Sequence, residues 1–111
     1  MTDANTALQE LLAKVDAGRW STIRDEPSAE TGLLIYWEQF DLIMSEGSLD
    51  AALALHNAVL PGFLWKLDCS NATVYPLKAP DTGSGFYGMS DSPARAWLCA
   101  ILKALIAECD E

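Results

Sequence analysis

Apolar residues recur at helical spacing in three parts of the chain. The first part runs from Thr2 to Ala17 and repeats them at positions i, i+3, i+4 and i+7, at Leu8, Leu11, Leu12 and Val15. The second begins at Ser48, a good N-cap, and continues in strong helix formers as far as Pro61. The third begins at Pro93, a favoured first helical residue, and remains apolar on a broad face. The pattern therefore predicts three amphipathic helices.

Between the second and third helices, alternation with a period of two predicts a β-hairpin over residues 63–78. Apolar residues occupy one face of its first strand, at Phe63, Trp65, Leu67 and Cys69, while Lys66 and Asp68 occupy the other. The second strand covers residues 72–78, where Pro76 must end the ladder or lie on an edge. Residues 79–90 contain several glycines and Pro80, and we predict a linking loop there.

Two stretches before the second helix are less regular. Residues 19–32 are mostly polar and predict a surface connection. Residues 33–44 fit either a helical stripe, at Leu33, Trp37, Phe40 and Met44, or a short buried strand over 33–37. We favour helix or irregular structure for this segment.

These elements predict the fold class. An isolated hairpin is marginal in water, so helices must cover it. We expect a single α+β domain over residues 1–111, a compact α-β-α sandwich-like arrangement in which about three helices pack on a small antiparallel sheet. Half of the residues are hydrophobic, which is enough to form such a core.

Charge narrows the classes of partner. The chain has 7 Lys and Arg against 16 Asp and Glu, a formal net charge of -9, which disfavours direct binding to nucleic acid or to anionic membranes. Seven of the acids fall in one stretch that contains no Lys or Arg: Asp25, Glu26, Glu30, Glu38, Asp41, Glu46 and Asp50. Such a segment favours a protein partner with a basic surface. A solvated acidic face that only maintains solubility is the alternative.

Candidate chemistry is sparse. His56 is the only histidine, and a structural or surface role for it is favoured over acid-base catalysis. The three cysteines have no CxxC spacing and are expected to be reduced, mostly as core residues. We therefore predict no enzyme activity, no catalytic residue, no metal site and no cofactor.

Three further residues have alternative interpretations. Trp20 and Trp37 flank the ambiguous segment, where they would serve as core residues or as aromatic anchors for a partner. Arg95 lies near the start of the last helix, where a cation opposes the helix dipole. A salt bridge to Asp50 or Asp91 is the ordinary explanation, and recognition of an anionic ligand is the alternative.

Four segments carry a family resemblance, namely Ser48 to Leu53, Val59 to Trp65, Val74 to Tyr75 and Ser92 to Leu98. In these residues and in their order the chain resembles small phage and prophage proteins with the phage ABA sandwich domain. The resemblance implies an α-β-α arrangement and a phage or prophage origin. It brings no catalytic residues.

These observations lead to a functional hypothesis. We expect a non-enzymatic phage or prophage accessory protein that binds another protein through its acidic face, for example an anti-CRISPR inhibitor that mimics nucleic acid. The alternative is a virion or assembly component that self-associates through Trp37, Phe40 and Met44. No signal peptide or membrane span is evident, so we expect the cytoplasm of the bacterial host.

Overall fold

The computed structural model describes residues 4–18, 20, 27, 31–68, 70–76 and 85–109. These residues form four α-helices, one short 3-10 helix at Leu34–Tyr36, and three strands. In chain order the elements are α1 (Ala4–Asp16), α2 (Trp37–Glu46), α3 (Leu49–Val59), β1 (Phe63–Leu67), β2 (Asn71–Pro76), β3 (Phe86–Met89) and α4 (Pro93–Cys109).

Helix α4 is the centre of the fold. It is buried almost all round, at Ala94, Ala96, Trp97, Leu98, Cys99, Ala100, Ile101, Leu102 and Ala104. A helix that is apolar on every side must be covered on every side. The sheet packs against α4 through β2 and β3, and α1, α2 and α3 also contact it.

The three strands form one antiparallel sheet in the order β1-β2-β3. In its register, Trp65 of β1 pairs with Val74 of β2, and Ala72 of β2 pairs with Gly88 of β3. Because side chains alternate between the two faces, these residues share the face toward α4. Helices therefore pack on an antiparallel sheet, and the predicted α+β class is confirmed.

Strand β3 corrects the prediction of a linking loop over residues 79–90. Phe86 and Gly88 point toward α4, while Tyr87 and Met89 are exposed. The strand was missed because it has four residues and includes a glycine, which ordinarily weakens a strand. Here the glycine is required, since a Cβ at Gly88 would overlap the backbone oxygen of Ala96 and lie 2.9 Å from the backbone nitrogen of Ala100.

The segment after residue 31 is helical, as favoured. Leu33 is buried, the 3-10 helix follows it, and α2 continues the chain to Gly47. Gly47 adopts φ 64, the left-handed conformation that ends many helices. Ser48 then caps α3, where its side chain accepts a hydrogen bond from the Ala51 amide at 3.1 Å. The predicted N-cap is confirmed.

The close approach of β3 to α4 gives a first prediction. Gly88→Ala places a methyl group against the α4 backbone, which cannot move without shifting the helix, so we expect a loss of about 3 kcal/mol or more of unfolding free energy. Gly32→Ala is the control, because its Cβ meets nothing within 4 Å and only φ +74 opposes it. The control should cost about 1 kcal/mol. Equal losses in chemical denaturation would contradict this interpretation.

Candidate functional site

The described members of the predicted acidic face lie on α2 and at the start of α3. Glu38 and Glu46 are exposed, Asp41 is half-buried, and all three lie on the solvent side of α2. Asp50 is exposed in the first turn of α3, where a carboxylate also favours the helix dipole. Asp25, Glu26 and Glu30 lie outside the described residues.

Helical spacing brings the three α2 acids onto one surface. Asp41 and Glu46 follow Glu38 by three and eight residues, so the three carboxylates lie on an outer arc of about 140° around α2, with Glu38 between the other two, over about 12 Å of helix. No Lys or Arg occurs between residues 31 and 65. Their negative field is therefore not compensated by a basic side chain from α2 or α3.

Asp41 also has a structural role that the sequence did not indicate. Its Oδ1 accepts a hydrogen bond from Trp20 Nε1 at 2.8 Å, and the Trp20 ring stacks on Phe40 with 5.7 Å between centroids. Trp20 is half-buried and packs against the core. Asp41 and Phe40 thus fix Trp20 against α2, which leaves Glu38 and Glu46 as the acids of α2 with exposed side chains.

Large apolar side chains are exposed among these acids. Trp37 is 48% exposed, and Ile35, in the 3-10 helix just before it, is 77% exposed. Exposed leucines extend this surface along α2 and α3, at Leu42, Leu49 and Leu53. The sequence pointed to Trp37 but not to Ile35, although Ile35 falls off the helical stripe that contains Leu33. We call the exposed side chains of residues 35–53 the α2–α3 surface.

The apolar stripe expected to drive self-association is wrong in two of its three members. Phe40 is completely buried, and Met44 packs against the core. Both lie on the inner side of α2, because this helix uses them to cover the other helices. Of that stripe, Trp37 alone remains exposed.

His56 is a core residue. It is 1% exposed, its Nε2 lies 3.0 Å from the carbonyl oxygen of Phe63, and its Nδ1 accepts a hydrogen bond from Trp97 Nε1 at 3.2 Å. Because the indole N–H is only a donor, Nδ1 must be the acceptor and Nε2 the donor. Both ring nitrogens are therefore used to join α3, β1 and α4, which confirms the structural interpretation of His56.

Arg95 does not form the predicted salt bridge. In the part of the chain that the structure describes, it makes no ion pair with Asp50 or Asp91. Its guanidinium instead lies beside Gly18, so close that a Cβ there would be 3.0 Å from Nη2. Gly18 ends α1, and a helix C-terminus carries partial negative charge that favours a cation. Arg95 thus complements the end of α1 rather than a carboxylate.

Cys99 is the free cysteine whose side chain the structure describes, and it is buried in α4. Burial raises the pKa of its thiol to about 11, with the nearby Asp16 carboxylate adding to the effect. A thiol with a raised pKa is a poor nucleophile at neutral pH. Cys99 therefore serves as a core residue, as predicted for most of the cysteines.

Comparisons of the chain with known protein families, with curated proteins and with solved structures found no match. The resemblance to the phage ABA sandwich domain therefore stays a prediction. Among the described residues, no group of His, Cys, Asp and Glu side chains is arranged to hold a metal ion. None of the described helices is long and apolar enough to cross a membrane.

The hydrogen bonds of His56 predict its tautomer. We expect the neutral form with the proton on Nε2, because Nδ1 accepts from Trp97 and Nε2 donates to Phe63. Long-range ¹H–¹⁵N correlation spectra near pH 7 distinguish the two tautomers. Trp97→Phe, which removes the donor, should alter the Nδ1 shift. A proton on Nδ1 in the unmodified protein would contradict the assignment.

Cys99 predicts a loss of stability at alkaline pH. The folded state keeps the thiol protonated up to about pH 11, whereas the unfolded chain releases the proton near 9.0, so stability falls as the pH rises between these values. We expect this one group to contribute a loss of at most about 2 to 3 kcal/mol. Denaturation of a Cys69→Ser/Cys109→Ser variant, with and without Cys99→Ala, isolates that loss. Parallel pH curves for the two proteins would refute it.

Proposed function

We propose that this chain is a non-enzymatic phage or prophage accessory protein that binds a basic protein surface through the α2–α3 surface. In its specific form, the proposal is an anti-CRISPR-like inhibitor that acts in the bacterial host cytoplasm and occupies a nucleic-acid channel. The observation that carries the proposal is the combination of Glu38, Glu46 and Asp50 with exposed apolar side chains on one pair of helices.

The exposed apolar side chains distinguish this surface from an acidic face that only maintains solubility. Solubility requires charge alone, whereas binding energy at protein interfaces comes mainly from a few large side chains that become desolvated. Trp37 and Ile35 supply such side chains at the start of α2, next to Glu38. Leu49 and Leu53 supply them one turn apart on α3, next to Asp50. The carboxylates would then form the polar part of the same interface.

The spacing of the acids supports mimicry of nucleic acid. Glu38 and Glu46 present exposed carboxylates along about 12 Å of helix, and Asp41 between them adds a third negative charge that is half-buried against Trp20. One strand of DNA presents about three to four phosphates over that length. A channel lined with Lys and Arg for phosphates would therefore meet a similar density of negative charge, while the net charge of the chain repels nucleic acid itself.

Neutralising the exposed acids of α2 tests the proposal. The partner is isolated from host lysate on the immobilised protein, and its affinity is then measured with Glu38→Gln/Glu46→Gln. We expect binding to weaken about tenfold or more and to become less sensitive to salt. Duplex DNA should compete for the partner if the acids stand in for phosphates.

The matched control is Glu10→Gln/Asp16→Asn, which removes the same charge from exposed positions on α1. It should leave the affinity nearly unchanged, since its charges lie outside the α2–α3 surface. Equal losses for the two variants would show a general effect of net charge and would refute a specific acidic face. Binding that DNA does not displace would refute mimicry and leave protein binding in place.

A further inference from the structure

The two edge strands of the sheet differ in which of their outward backbone groups already have hydrogen-bond partners. Since β2 is central, β1 and β3 each present one row of backbone groups away from it. On the β3 edge, Lys103 Nζ donates to the carbonyl oxygen of Tyr87 at 2.6 Å. Lys103 reaches this edge from α4, and a charged side chain placed over a sheet edge hinders pairing with another strand. The carbonyl oxygen of Tyr87 at the β3 edge is therefore occupied.

At the β1 edge, only the backbone groups of the first residue, Phe63, have hydrogen-bond partners. The Phe63 amide donates to Leu60, and its carbonyl oxygen accepts from His56, so the backbone groups of Phe63 point away from β2. Alternation then directs the N–H and C=O groups of Trp65 and Leu67 to the same free edge. Within the described residues, these four groups have no hydrogen-bond partner.

Side chains of β1 are also incompletely covered. Helix α4 packs mainly against β2 and β3, so β1 extends beyond the helical layer. Trp65 is 43% exposed on the inner face, although its ring contacts Trp97, and Leu64 is 42% exposed on the outer face. An apolar edge strand that is open in its backbone and exposed on both faces is a site for pairing with another strand.

We propose that β1 pairs antiparallel with β1 of a second copy of this chain, to form a continuous six-stranded sheet. The pairing is centred on Lys66, so that Trp65 lies opposite Leu67 of the second copy and Leu67 opposite its Trp65. This register satisfies all four open backbone groups of each strand and forms four hydrogen bonds between the copies. It also avoids Phe63, whose backbone groups are already used.

A second copy meets little like-charge repulsion at this edge. The chain has a net charge of -9, but residues 63–68 contain one Lys and one Asp and are neutral. In the proposed register each Lys66 lies diagonal to Asp68 of the second copy, within the reach of its long side chain. The two Lys66 side chains face one another directly, and this like-charge pair makes the register testable.

A charge-reversal experiment tests the register. Lys66 is exposed on the outer face, so Lys66→Glu should fold normally, which circular dichroism checks. The two side chains at position 66 have opposite charges only when an unmodified chain pairs with a Lys66→Glu chain. We therefore expect the mixed dimer of Lys66 and Lys66→Glu chains to be about tenfold tighter than the Lys66→Glu homodimer, in which carboxylates face one another and also lie diagonal to Asp68, as measured by native mass spectrometry and sedimentation. Lys14→Glu on α1 makes the same charge change and should give no preference.

Hydrogen exchange provides an independent readout. The amides of Trp65 and Leu67 should become protected as the protein concentration rises, whereas those of Leu64 and Lys66 are bonded to β2 at every concentration. A protein that stays monomeric at high concentration, alone and in the mixture, would overturn the proposal. A dimer without the mixed preference, or without protection of Trp65 and Leu67, would also overturn it. The acidic variants of α2 should leave this dimer intact, which separates its failure from failure of the proposed function.

Discussion

The fold depends on the burial of α4 from almost every side. Its residues Ala96 and Ala100 are small, and they admit the backbone of β3 at Gly88 into direct contact with the helix. Larger side chains such as Trp97 and Ile101 fill the remaining space and are fully buried. Because protein interiors are close-packed, the sheet and the other helices must adapt to this one helix. The way in which these elements pack on α4 determines where the α2–α3 surface and the edge of β1 lie.

One buried polar connection holds the sheet and α3 to this centre. His56 accepts from Trp97 of α4 and donates to Phe63 of β1, so one imidazole links three elements. A buried polar group without a hydrogen-bond partner lowers stability, so both the position and the orientation of the His56 ring are fixed by its two hydrogen bonds. The same bond occupies the Phe63 end of the β1 edge. At Phe63, α3 is therefore bonded to the sheet, whereas the backbone N–H and C=O groups of Trp65 and Leu67 stay free at the β1 edge.

The sequence predicted those elements whose signals are local and long. The period of α4, the Ser48 cap and the alternation in β1 each arise within a few residues and needed no knowledge of the rest of the fold. Strand β3 and the environment of Arg95 were missed because both depend on contacts with distant elements. From sequence alone, Gly88 is typical of a loop, and only its contact with α4 explains a glycine in a strand. Arg95 is typical of a salt-bridge partner, and only the structure shows that the end of α1 lies beside it.

The candidate site shows the same division. Sequence located the acids, because charge is counted directly, but it could not assign Asp41 to Trp20, which lies 21 residues away. The structure also separates two kinds of surface. The α2–α3 surface concentrates negative charge and would repel a second copy of the same chain, whereas the edge of β1 is locally neutral and open. The two proposed interactions therefore use different surfaces, since the acidic surface favours a basic partner and the neutral edge of β1 opposes a second copy least.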